Sequence, residues 1–461
     1  MNRAVVLGGS MAGLLATRIL AQRFDTIVVI DRDELRGVSG YRQGVPHGRH
    51  AHGLVARGHQ ILEKLFPGLT DDLVSAGVRP GDFSGDIRWY FNGARIQPSW
   101  SGLISVPATR PVLEDHVRRR VFGLPNVEVR DGTDILDLVT TDDRQRVTGV
   151  RVQRRAGGAP ETVHGDLVVD TTGRGSRTPA WLDGLGYPRP GEDRVKIGLT
   201  YTTRHYRLDA DPFGSDLAII PAATPGMPRG AFFYRVPGDD GRVELSLTGM
   251  LGDHAPTDPE GFLAYVRSLP VPDIYQAVRD AEPVDDPVMF RYPASVWRRY
   301  ERLDRFPGNF LVMGDAVCSF NPIYAQGMTS AALQALVLDR HLDDGTVPDP
   351  LAFFRDVAAE IETPWTFSAT ADLGYAGVAG RRTMKIRFIN AYVARLQAAA
   401  VHDARLTEAF IRVAGLVDEP TALLRPANVI RVLRQLRRGT GAPSTAQRGE
   451  LLGGRSESPA R

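Results

Sequence analysis

The sequence predicts an α/β protein in three parts: a Rossmann-like first domain with a mixed sheet, a second domain built on an antiparallel sheet, and a C-terminal helical region. The first part is predicted by the opening βαβ pattern, in which an apolar run, a glycine cluster and an apolar helical run lead to a second apolar run ending at Asp31. The second is predicted by residues 195–250, where apolar and polar side chains alternate as in an antiparallel sheet with one solvent-facing side. The third is predicted by the mostly helical pattern of residues 350–440.

Composition limits the classes of protein to which this chain can belong. Its 461 residues, 43% of them hydrophobic, are too many for one ordinary core. A net charge of +2 gives no indication of nucleic acid as a partner. Cys318 is the single cysteine, which excludes an intrachain disulfide and favours a cytoplasmic location. No apolar run reaches the ~18 residues that a membrane span needs, so no transmembrane segment is expected.

The glycine cluster of the βαβ unit has the features of a dinucleotide-binding turn. Gly8 permits the tight strand-to-helix turn, and Gly13 lets the helix pack close to the strand. Ser10 replaces the middle glycine, where a pyrophosphate approaches the free N–H groups of the helix, and it adds a hydroxyl able to bind a phosphate. The alternative is an ordinary strand–helix connection. The candidate binding residues of the cluster are Gly8, Gly9, Ser10, Met11, Ala12 and Gly13.

The second strand of the unit ends in an acidic residue, as nucleotide-binding units of this kind do. Asp31, followed by Arg32, stands where a carboxylate accepts hydrogen bonds from the ribose hydroxyls of an adenosine. A carboxylate there disfavours a 2′-phosphate, which argues against NADP in this unit.

The elements between the βαβ unit and the helical region follow from local patterns. Aromatic and β-branched residues flank the turn dipeptide Asn92-Gly93, which predicts a hairpin over IRWYFNGARI. RPVLEDHVRRRVF predicts a helix beginning near Arg110, and DLVVDTTGRGSRTP predicts a buried strand running into a glycine-rich turn. NFLVMGDA predicts another buried strand, and its Gly314-Asp315 pair leads through a proline loop to a helix that opens at Gln326-Gly327-Met328.

Three of these motifs, in this order, resemble the class A flavoprotein monooxygenases, which share the fold of para-hydroxybenzoate hydroxylase. They are the glycine cluster, the strand and turn DLVVDTTGRGSRTP, and the Gly-Asp motif that begins at NFLVMGDA. The Gly-Asp motif is the most specific, because GDA…P…QGM…A matches the family pattern. The middle motif departs from it: the family usually has an Asp-Gly pair where this chain has residues 170–173, DTTG. The resemblance covers residue 3 to about residue 340. Within the family, three stretches are most similar to the flavin epoxidases of polyether-antibiotic pathways, a squalene-epoxidase-like subgroup. They are GVPHGRHAHGL, DLVVDTTGRGSRTP and GDAVCSFNPIYAQGMT.

The resemblance implies FAD as the cofactor and gives roles to particular residues. Asp315 would bind the ribitol hydroxyls or the pyrophosphate side of FAD, and Gly327 and Met328 would present N–H groups to the flavin ring. Arg110 matches an FAD-contacting position, and Arg49 lies in a loop that usually meets the flavin side of the pyrophosphate; a solvated surface position is the alternative for both.

The resemblance also implies a domain organisation. The FAD-binding domain is expected to be discontinuous, the substrate-binding sheet to be inserted into it, and the last residues, with almost no apolar content, to be disordered. The expected ranges are 1–75, 103–180 and 300–345 for the FAD-binding domain, 76–102 and 181–299 for the substrate domain, 346–440 for the helical region and 441–461 for the tail.

Enzymes of this class are reduced by transiently bound NAD(P)H or by a separate reductase, and they use O₂ through a C4a-hydroperoxyflavin. An alkene reacts with such an oxidant without a base, whereas a phenol gains from one. The sequence shows no obvious base; Tyr324 is near the flavin by motif position but is equally suited to a cavity wall. The expected function is therefore epoxidation of alkenes in a hydrophobic polyketide, polyene or terpenoid of secondary metabolism.

Other functions remain open at the level of sequence. One alternative is hydroxylation of a phenolic polyketide, and another is a flavin reductase like geranylgeranyl reductase. A flavin halogenase is disfavoured because the W-x-W-x-I-P motif is absent and no lysine stands in a catalytic context. A third class is a non-catalytic FAD-binding protein whose helical region binds a partner.

Two groups of residues have alternative interpretations. His47, His50 and His52 have loose spacing, with no completing cysteine or carboxylate pattern, so no metal site is expected. Aromatic side chains of the second domain, and the segment PWTFSATADLGY at 364–375, face either core or pocket. The aromatic residues concerned are Trp89, Tyr90, Phe91, Phe232, Phe233 and Tyr234.

Overall fold

The computed structural model describes residues 1–238 and 241–439 of the chain, so the tail expected at 441–461 lies outside the described residues. The strands, in chain order, are β1 (Arg3–Leu7), β2 (Thr26–Ile30), β3 (Gly81–Asp82), β4 (Ile87–Phe91), β5 (Ala94–Arg95), β6 (Ile104–Ser105), β7 (Val127–Arg130), β8 (Thr133–Thr140), β9 (Val147–Arg154), β10 (Glu161–His164), β11 (Leu167–Asp170), β12 (Glu192–Val195), β13 (Leu199–Arg207), β14 (Ala218–Ala222), β15 (Arg229–Arg235), β16 (Arg242–Gly249), β17 (Glu282–Pro283), β18 (Val288–Tyr292), β19 (Ser295–Arg298), β20 (Phe310–Val312) and β21 (Cys318–Ser319).

The α-helices, in chain order, are α1 (Met11–Leu20), α2 (Ala56–Leu65), α3 (Leu69–Ser75), α4 (Arg110–Phe122), α5 (Thr178–Gly184), α6 (Pro259–Arg267), α7 (Pro272–Val278), α8 (Gly327–His341), α9 (Pro350–Asp372), α10 (Met384–Ala400), α11 (Ala404–Ala414) and α12 (Pro426–Gly439). In the described ranges, none of these helices combines the length and the apolar character that crossing a bilayer requires.

A five-stranded sheet in the order β20-β11-β1-β2-β7 forms the centre of the first domain. Its strands are buried, apolar runs such as AVVL and IVVI, which is typical of strands covered on both faces. Every pair in this sheet is parallel. The mixed sheet expected here is instead divided into this parallel sheet and an antiparallel one, β10-β9-β8. The carboxyl ends of the parallel strands meet at one edge, so the residues that follow them converge there.

An eight-stranded sheet carries the second domain, as the alternating pattern predicts. Its order is β17-β13-β16-β15-β14-β4-β5, with β18 also paired to β13. The strands pair antiparallel except β4, which runs parallel to β14. The predicted hairpin is confirmed: β4 and β5 flank Asn92 (φ +50) and Gly93 (φ +78), whose two positive φ angles are typical of a type I′ turn.

The C-terminal helices α9 to α12 complete the architecture. A cluster that includes Ile96, Leu396 and Phe410 packs α10 and α11 against the β4–β5 side of the large sheet. α9 continues through Pro364, which lies inside the helix, and packs against α8 of the first domain. We propose the same division into FAD-binding, substrate-binding and helical parts, because each has its own sheet or bundle.

The closest backbone approach in the first domain generates a prediction about Gly13. A Cβ atom at this position would lie 1.8 Å from the Gly8 carbonyl oxygen, so Gly13→Ala must displace the turn or the helix. We expect a loss of about 3 kcal/mol in the free energy of unfolding, the upper end for overpacking, together with loss of bound flavin. Urea unfolding and the visible flavin absorption measure both.

The control for this prediction is the same substitution at Gly184 in α5, where a Cβ atom would meet nothing within 4 Å. If Gly13→Ala and Gly184→Ala lost equal stability and equal amounts of flavin, the contact between Gly13 and the Gly8 carbonyl would not have the role given to it.

Candidate functional site

The glycine cluster forms the turn between β1 and the amino end of α1. Gly8 has φ +99 and its N–H donates to the Ile30 carbonyl oxygen at 2.8 Å, so the turn is bonded to β2. The Thr171 hydroxyl lies against the turn from β11, 2.7 Å from the Leu7 carbonyl oxygen and 2.9 Å from that of Gly8. Ser10 is the N-cap of α1, whose first N–H groups have no partner within the helix. The turn therefore presents unpaired donors and the positive end of a helix dipole.

A buried carboxylate, Glu114 in α4, organises the residues around this helix terminus. The Ser10 hydroxyl and the Arg110 Nε both donate to it at 2.9 Å, and Arg110 also donates to the Ser10 Oγ at 3.0 Å. Arg42 pairs with the same carboxylate, and Arg118 lies 3.4 Å from it. Burial acts to raise the pKa of Glu114, but the Arg110 and Arg42 guanidinium groups outweigh it and bring the pKa to about 2. Glu114 is therefore ionised, and the Ser10 hydroxyl is oriented toward it.

Asp31 lies beside this cluster at the end of β2. Its carboxylate accepts hydrogen bonds from the N–H groups of Gly9 at 2.6 Å and Asp33 at 2.8 Å. Arg42 lies 3.7 Å from the same carboxylate. Burial raises the pKa of Asp31 against the opposing effect of Arg42. Asp31 thus connects the strand end to the glycine turn, and the adjoining Arg32 is exposed.

The Gly-Asp turn after β20 meets the glycine cluster from the other side. A Cβ atom on Gly314, which has φ +68, would lie 2.6 Å from the Ala12 Cβ, so the two turns are in direct contact. A Cβ atom on Gly327 would lie 3.8 Å from the Asp315 Oδ1. Asp315 and the amino end of α8, with Gly327 and Met328, are therefore close together, and α1 and α8 begin at one crevice.

Several polar groups in this crevice lack partners of their own. Within residues 1–238 and 241–439, no hydrogen bond reaches the Asp315 carboxylate, and burial raises its pKa against the influence of Arg174, Arg110 and Arg298. Both side-chain polar atoms of Gln326, the N-cap of α8, are buried without a partner. Buried polar atoms are normally hydrogen-bonded, so unpaired ones here fit a polar group held between α1 and α8.

The loop before α2 reaches the buried cluster around Glu114 through a different arginine from the one that the sequence suggests. Arg49 is exposed, with its guanidinium 5.1 Å from the centre of the Tyr41 ring, and it is Arg42 that reaches the buried cluster. His47 and His52 lie with ring centres 5.3 Å apart. Burial lowers the pKa of His52 to about 3 and that of His47 well below its usual value, so both are neutral. The described part of the chain has no group of three or more His, Cys, Asp or Glu side chains arranged to hold a metal.

A large cavity opens beside the crevice. It has a volume of about 790 Å³ and lies between the large sheet, the loop before α8 and helices α9 to α11. The lining is mainly apolar and aromatic, including Trp89, Phe232, Phe367 and Phe410. The alternation along β15 separates the aromatic residues: Phe232 and Tyr234 line the cavity, whereas Phe233 packs into a core with α6 and α7. The segment 364–375 also contributes to the cavity wall.

Tyr324 lies in the cavity wall, three residues before Gly327, and is paired with a carboxylate that the sequence analysis did not identify. Its hydroxyl donates to the Asp372 Oδ1 at 2.8 Å, and the Asn321 amide donates to the same oxygen at 2.8 Å. Asp372 is buried at the end of α9, and burial raises its pKa to about 6 against these two hydrogen bonds. No motif marks Asp372, because it comes 48 residues after Tyr324 in a helix of ordinary composition. By contrast, the sequence does indicate a partner for Glu114, because it follows Arg110 by four residues, the spacing at which side chains pair on a helix.

Comparison with known proteins agrees with this geometry. The family described as "FAD binding domain" matches residues 2–343, and the chain therefore belongs to that family. Protein Rv3254 from Mycobacterium tuberculosis is 34% identical over 81% of each chain. A kynurenine 3-monooxygenase from Salinispora arenicola is 28% identical, over 74% of this chain and 72% of its own length. The structure of the flavin-dependent brominase Bmp2 has a TM-score of 0.67 at 16% identity, covering 95% of this chain and 100% of its own, and shows the shared fold.

The chain is thus an FAD-dependent monooxygenase with FAD as its cofactor, and NAD(P)H is the reductant typical of the family. The residues of the crevice fit this cofactor: unpaired N–H groups at α1 suit the pyrophosphate, and the unbonded Asp315 carboxylate suits sugar hydroxyls. We propose that the glycine cluster, Arg110, Asp315, Gly327 and Met328 hold FAD.

Replacing Asp315 tests this placement. Asp315→Ala removes the carboxylate that faces the crevice. We expect the dissociation constant for FAD to rise about 10- to 100-fold, because one or two charged hydrogen bonds are lost. The dissociation constant is measured by titrating FAD into the stripped protein.

The matched control is Asp304→Ala, which removes an exposed carboxylate. Unchanged FAD affinity in Asp315→Ala would show that this carboxylate does not contact the cofactor.

Glu114 gives a prediction about pH. Because its folded pKa of about 2 lies below the usual 4.5, its stabilising contribution is complete above about pH 4.5 and is lost as the pH falls toward 2. Glu114→Gln leaves buried guanidinium groups unpaired, so we expect the free energy of unfolding to fall by about 3–5 kcal/mol at pH 7. The stability of this variant should also change less as the pH is lowered. Urea unfolding at several pH values measures this, and Glu128→Gln, at an exposed position, is the control. A Glu114→Gln variant as stable as the Glu128→Gln variant would contradict the role given to the cluster.

Proposed function

We propose that this monooxygenase oxygenates a large hydrophobic natural product, and that its reaction is epoxidation of an alkene in a polyketide, polyene or terpenoid-like substrate. The observation that carries the proposal is the cavity of about 790 Å³ with its apolar, aromatic lining. Such a lining stabilises an extended apolar molecule by burial and offers few charged groups to a small polar one. The resemblance of the loop before α2 to the flavin epoxidases supports the reaction type.

A second candidate is hydroxylation of a phenolic polyketide, which the Tyr324–Asp372 pair favours. A phenol reacts faster as its phenolate, so a hydroxylase gains from a group that accepts the phenol proton. Tyr324 faces the cavity, and Asp372 behind it has a pKa of about 6 and is therefore largely ionised at neutral pH. Substrate deprotonation through Tyr324 would make phenol oxygenation increase as the pH rises through about 6.

The chain's own residues then have distinct tasks. Bound FAD supplies the reduction of O₂ and the electrophilic oxygen. Asp315 and the amino ends of α1 and α8 hold the cofactor, and the positive end of α8 stabilises negative charge on the reduced ring system. Phe232, Phe367 and the other aromatic walls orient the substrate and exclude water from the reacting groups. The proposed cellular role is in secondary metabolism in the cytoplasm, with either NAD(P)H or a separate reductase as electron donor.

The two reactions are separated by one experiment. The FAD-loaded protein is supplied with NADH or NADPH and ¹⁸O₂, and with matched sets of polyenes and phenols, and products are analysed by mass spectrometry. Epoxide formation that Asp372→Asn leaves unchanged supports the first proposal. Phenol hydroxylation whose increase near pH 6 disappears in Asp372→Asn and Tyr324→Phe supports the second. Oxygenation of neither class, with O₂ consumed only to peroxide, would contradict both.

The cavity itself generates a prediction at Ala371, which lines it from α9. Ala371→Trp places an indole in the space proposed for substrate, so binding of a conjugated polyene fatty acid should weaken about tenfold or more while FAD content stays unchanged. Fluorescence titration of the polyene measures the affinity. Ala391→Trp, the same change at an exposed site on α10, is the control; equal affinities for the two variants would place the substrate elsewhere.

A further inference from the structure

The loop before α2 places one histidine, His52, in the wall of the large cavity. The His52 Nδ1 lies 2.8 Å from the backbone carbonyl oxygen of His50, and this hydrogen bond fixes the orientation of the ring. The ring also packs against that of His47, with the two ring centres 5.3 Å apart. The site described above gives His52 no task, although its side chain is partly exposed in a wall that is mainly apolar.

The hydrogen bond to His50 also determines which ring nitrogen of His52 carries the proton. A carbonyl oxygen can only accept a hydrogen bond, so the proton is on the His52 Nδ1. Burial lowers the pKa of His52 to about 3, so the ring takes no second proton at neutral pH. The Nε2 atom therefore keeps its lone pair and acts only as a hydrogen-bond acceptor.

The His52 Nε2 is open to the cavity. Among the residues that the structure describes, none forms a hydrogen bond with this atom, and it is not one of the unpaired polar atoms that the protein encloses completely. Because His52 lines the cavity, the free lone pair is available to a molecule bound there. An acceptor left without a donor in an apolar site is costly, so a ligand that supplies a donor at this point gains affinity.

Two other polar side chains of the cavity wall have their hydrogens taken up by the protein. The Tyr392 hydroxyl donates to the Leu423 carbonyl oxygen at 2.7 Å, and the Asn390 amide donates to the Thr370 carbonyl oxygen at 2.8 Å. Both contacts join one part of the wall to another. His52 differs from them because its bonded atom is fixed by the backbone while its second nitrogen is left for the cavity.

His52 lies where the cavity meets the crevice proposed for FAD. A Cβ atom on the next residue, Gly53, would lie 2.8 Å from the Ala325 Cβ, so this stretch packs against the loop before α8. Ala325 also lines the cavity, and it comes two residues before Gly327, the first residue of α8. A group held by the His52 Nε2 is therefore near the amino end of α8, where the flavin ring is proposed.

The chemistry of this acceptor selects the group that it binds. Ketone, ester, ether and carboxylate oxygens have no hydrogen to donate. A cation is disfavoured because the positive charge of Arg110 acts on the same ring. Among the neutral oxygen groups of polyketides and terpenoids, the hydroxyl group alone is a donor.

We propose that His52 is a substrate-binding residue whose Nε2 accepts a hydrogen bond from a hydroxyl group, and that the substrate is an apolar alcohol or phenol oxygenated close to that hydroxyl. The inference rests on the proposed function, because that function places the substrate in this cavity. The neutral His52 ring holds the hydroxyl without removing its proton. The contact therefore positions the substrate, and any deprotonation of a phenol is left to Tyr324 and Asp372.

The test compares two apolar probes of similar shape, 2-naphthol and 2-methoxynaphthalene, of which only the first donates a hydrogen bond. Their affinities for the FAD-loaded, oxidised protein are measured by calorimetry at pH 7 in the parent and in His52→Asn. Asparagine keeps a donor near the position of Nδ1 and removes the Nε2 acceptor. We expect the ratio of the naphthol affinity to the methoxynaphthalene affinity to fall about tenfold in His52→Asn, the effect of one hydrogen bond. Comparing ratios cancels the difference in solvation between the probes.

The matched control is His254→Asn. The His254 Nδ1 also lies 2.8 Å from the carbonyl oxygen two residues earlier, that of Gly252, but His254 is exposed and lies outside the cavity wall. This variant should leave the ratio unchanged. His52→Gln, whose side-chain oxygen reaches the position of Nε2, should restore the ratio to within about threefold of the parent. Flavin absorption and thermal unfolding verify that each variant is folded and loaded.

A second measurement does not depend on affinity. ¹⁵N NMR of histidine-labelled protein should show the His52 proton on Nδ1, and 2-naphthol, but not 2-methoxynaphthalene, should shift the Nε2 signal. An unchanged ratio in His52→Asn, an equal fall in His254→Asn or a His52 proton on Nε2 would overturn the proposal. Weaker FAD binding in His52→Asn with an unchanged ratio would also overturn it, because Nε2 would then contact the cofactor.

The same titrations distinguish this inference from the proposed function. If neither probe bound, the cavity would not be the site of an apolar substrate, and the proposed function would fail together with the inference. If both probes bound with affinities independent of His52, only the hydroxyl contact would be overturned.

Discussion

The carboxylate of Glu114 makes the contacts on which the proposed cofactor site of this protein depends. It accepts hydrogen bonds from Ser10 at the amino end of α1 and from Arg110 in α4, and it pairs with Arg42 in the loop before α2. These elements are far apart in sequence, and each brings a polar group that would be costly to bury alone. One buried anion between several guanidinium groups satisfies them together, so the glycine turn and the loop over it hold one relative position.

The same requirement for paired polar groups shapes the large sheet. Because successive side chains of a strand point to opposite faces, β15 sends Phe233 into the core with α6 and α7 and sends Phe232 and Tyr234 toward the cavity. On the cavity face, the apolar side chains form the cavity wall at one end. At the other end, Thr203 and Ser246 continue into the charged groups Glu244 and His205. A single sheet face thus carries both an apolar cavity wall and a row of paired polar side chains.

The helical region completes the cavity. α9 carries Asp372 to a position behind Tyr324, which lies in the loop that leads into α8. The carboxylate, the phenol and the amide of Asn321 therefore form a hydrogen-bonded group where the proposed cofactor site and the cavity meet. This arrangement connects a helix outside the matched FAD-binding segment, residues 2–343, to the proposed substrate cavity.

The sequence by itself determined the class of this protein. The spacing from Gly8 to Asp31, the Gly314-Asp315 pair and the helix opening at Gly327 are local patterns, and local backbone geometry requires them: tight turns need glycine, and unpaired N–H groups lie where a helix begins. The Rossmann-like βαβ unit, the hairpin at Asn92-Gly93 and the family followed from such patterns. Only the tertiary structure decided that Arg42 and Glu114 meet at Ser10, that Asp372 pairs with Tyr324, and that Thr203 lies between His50 and Ser246. These contacts join residues tens to hundreds of positions apart, and their free energy comes from shared burial, which has no period or motif in the sequence.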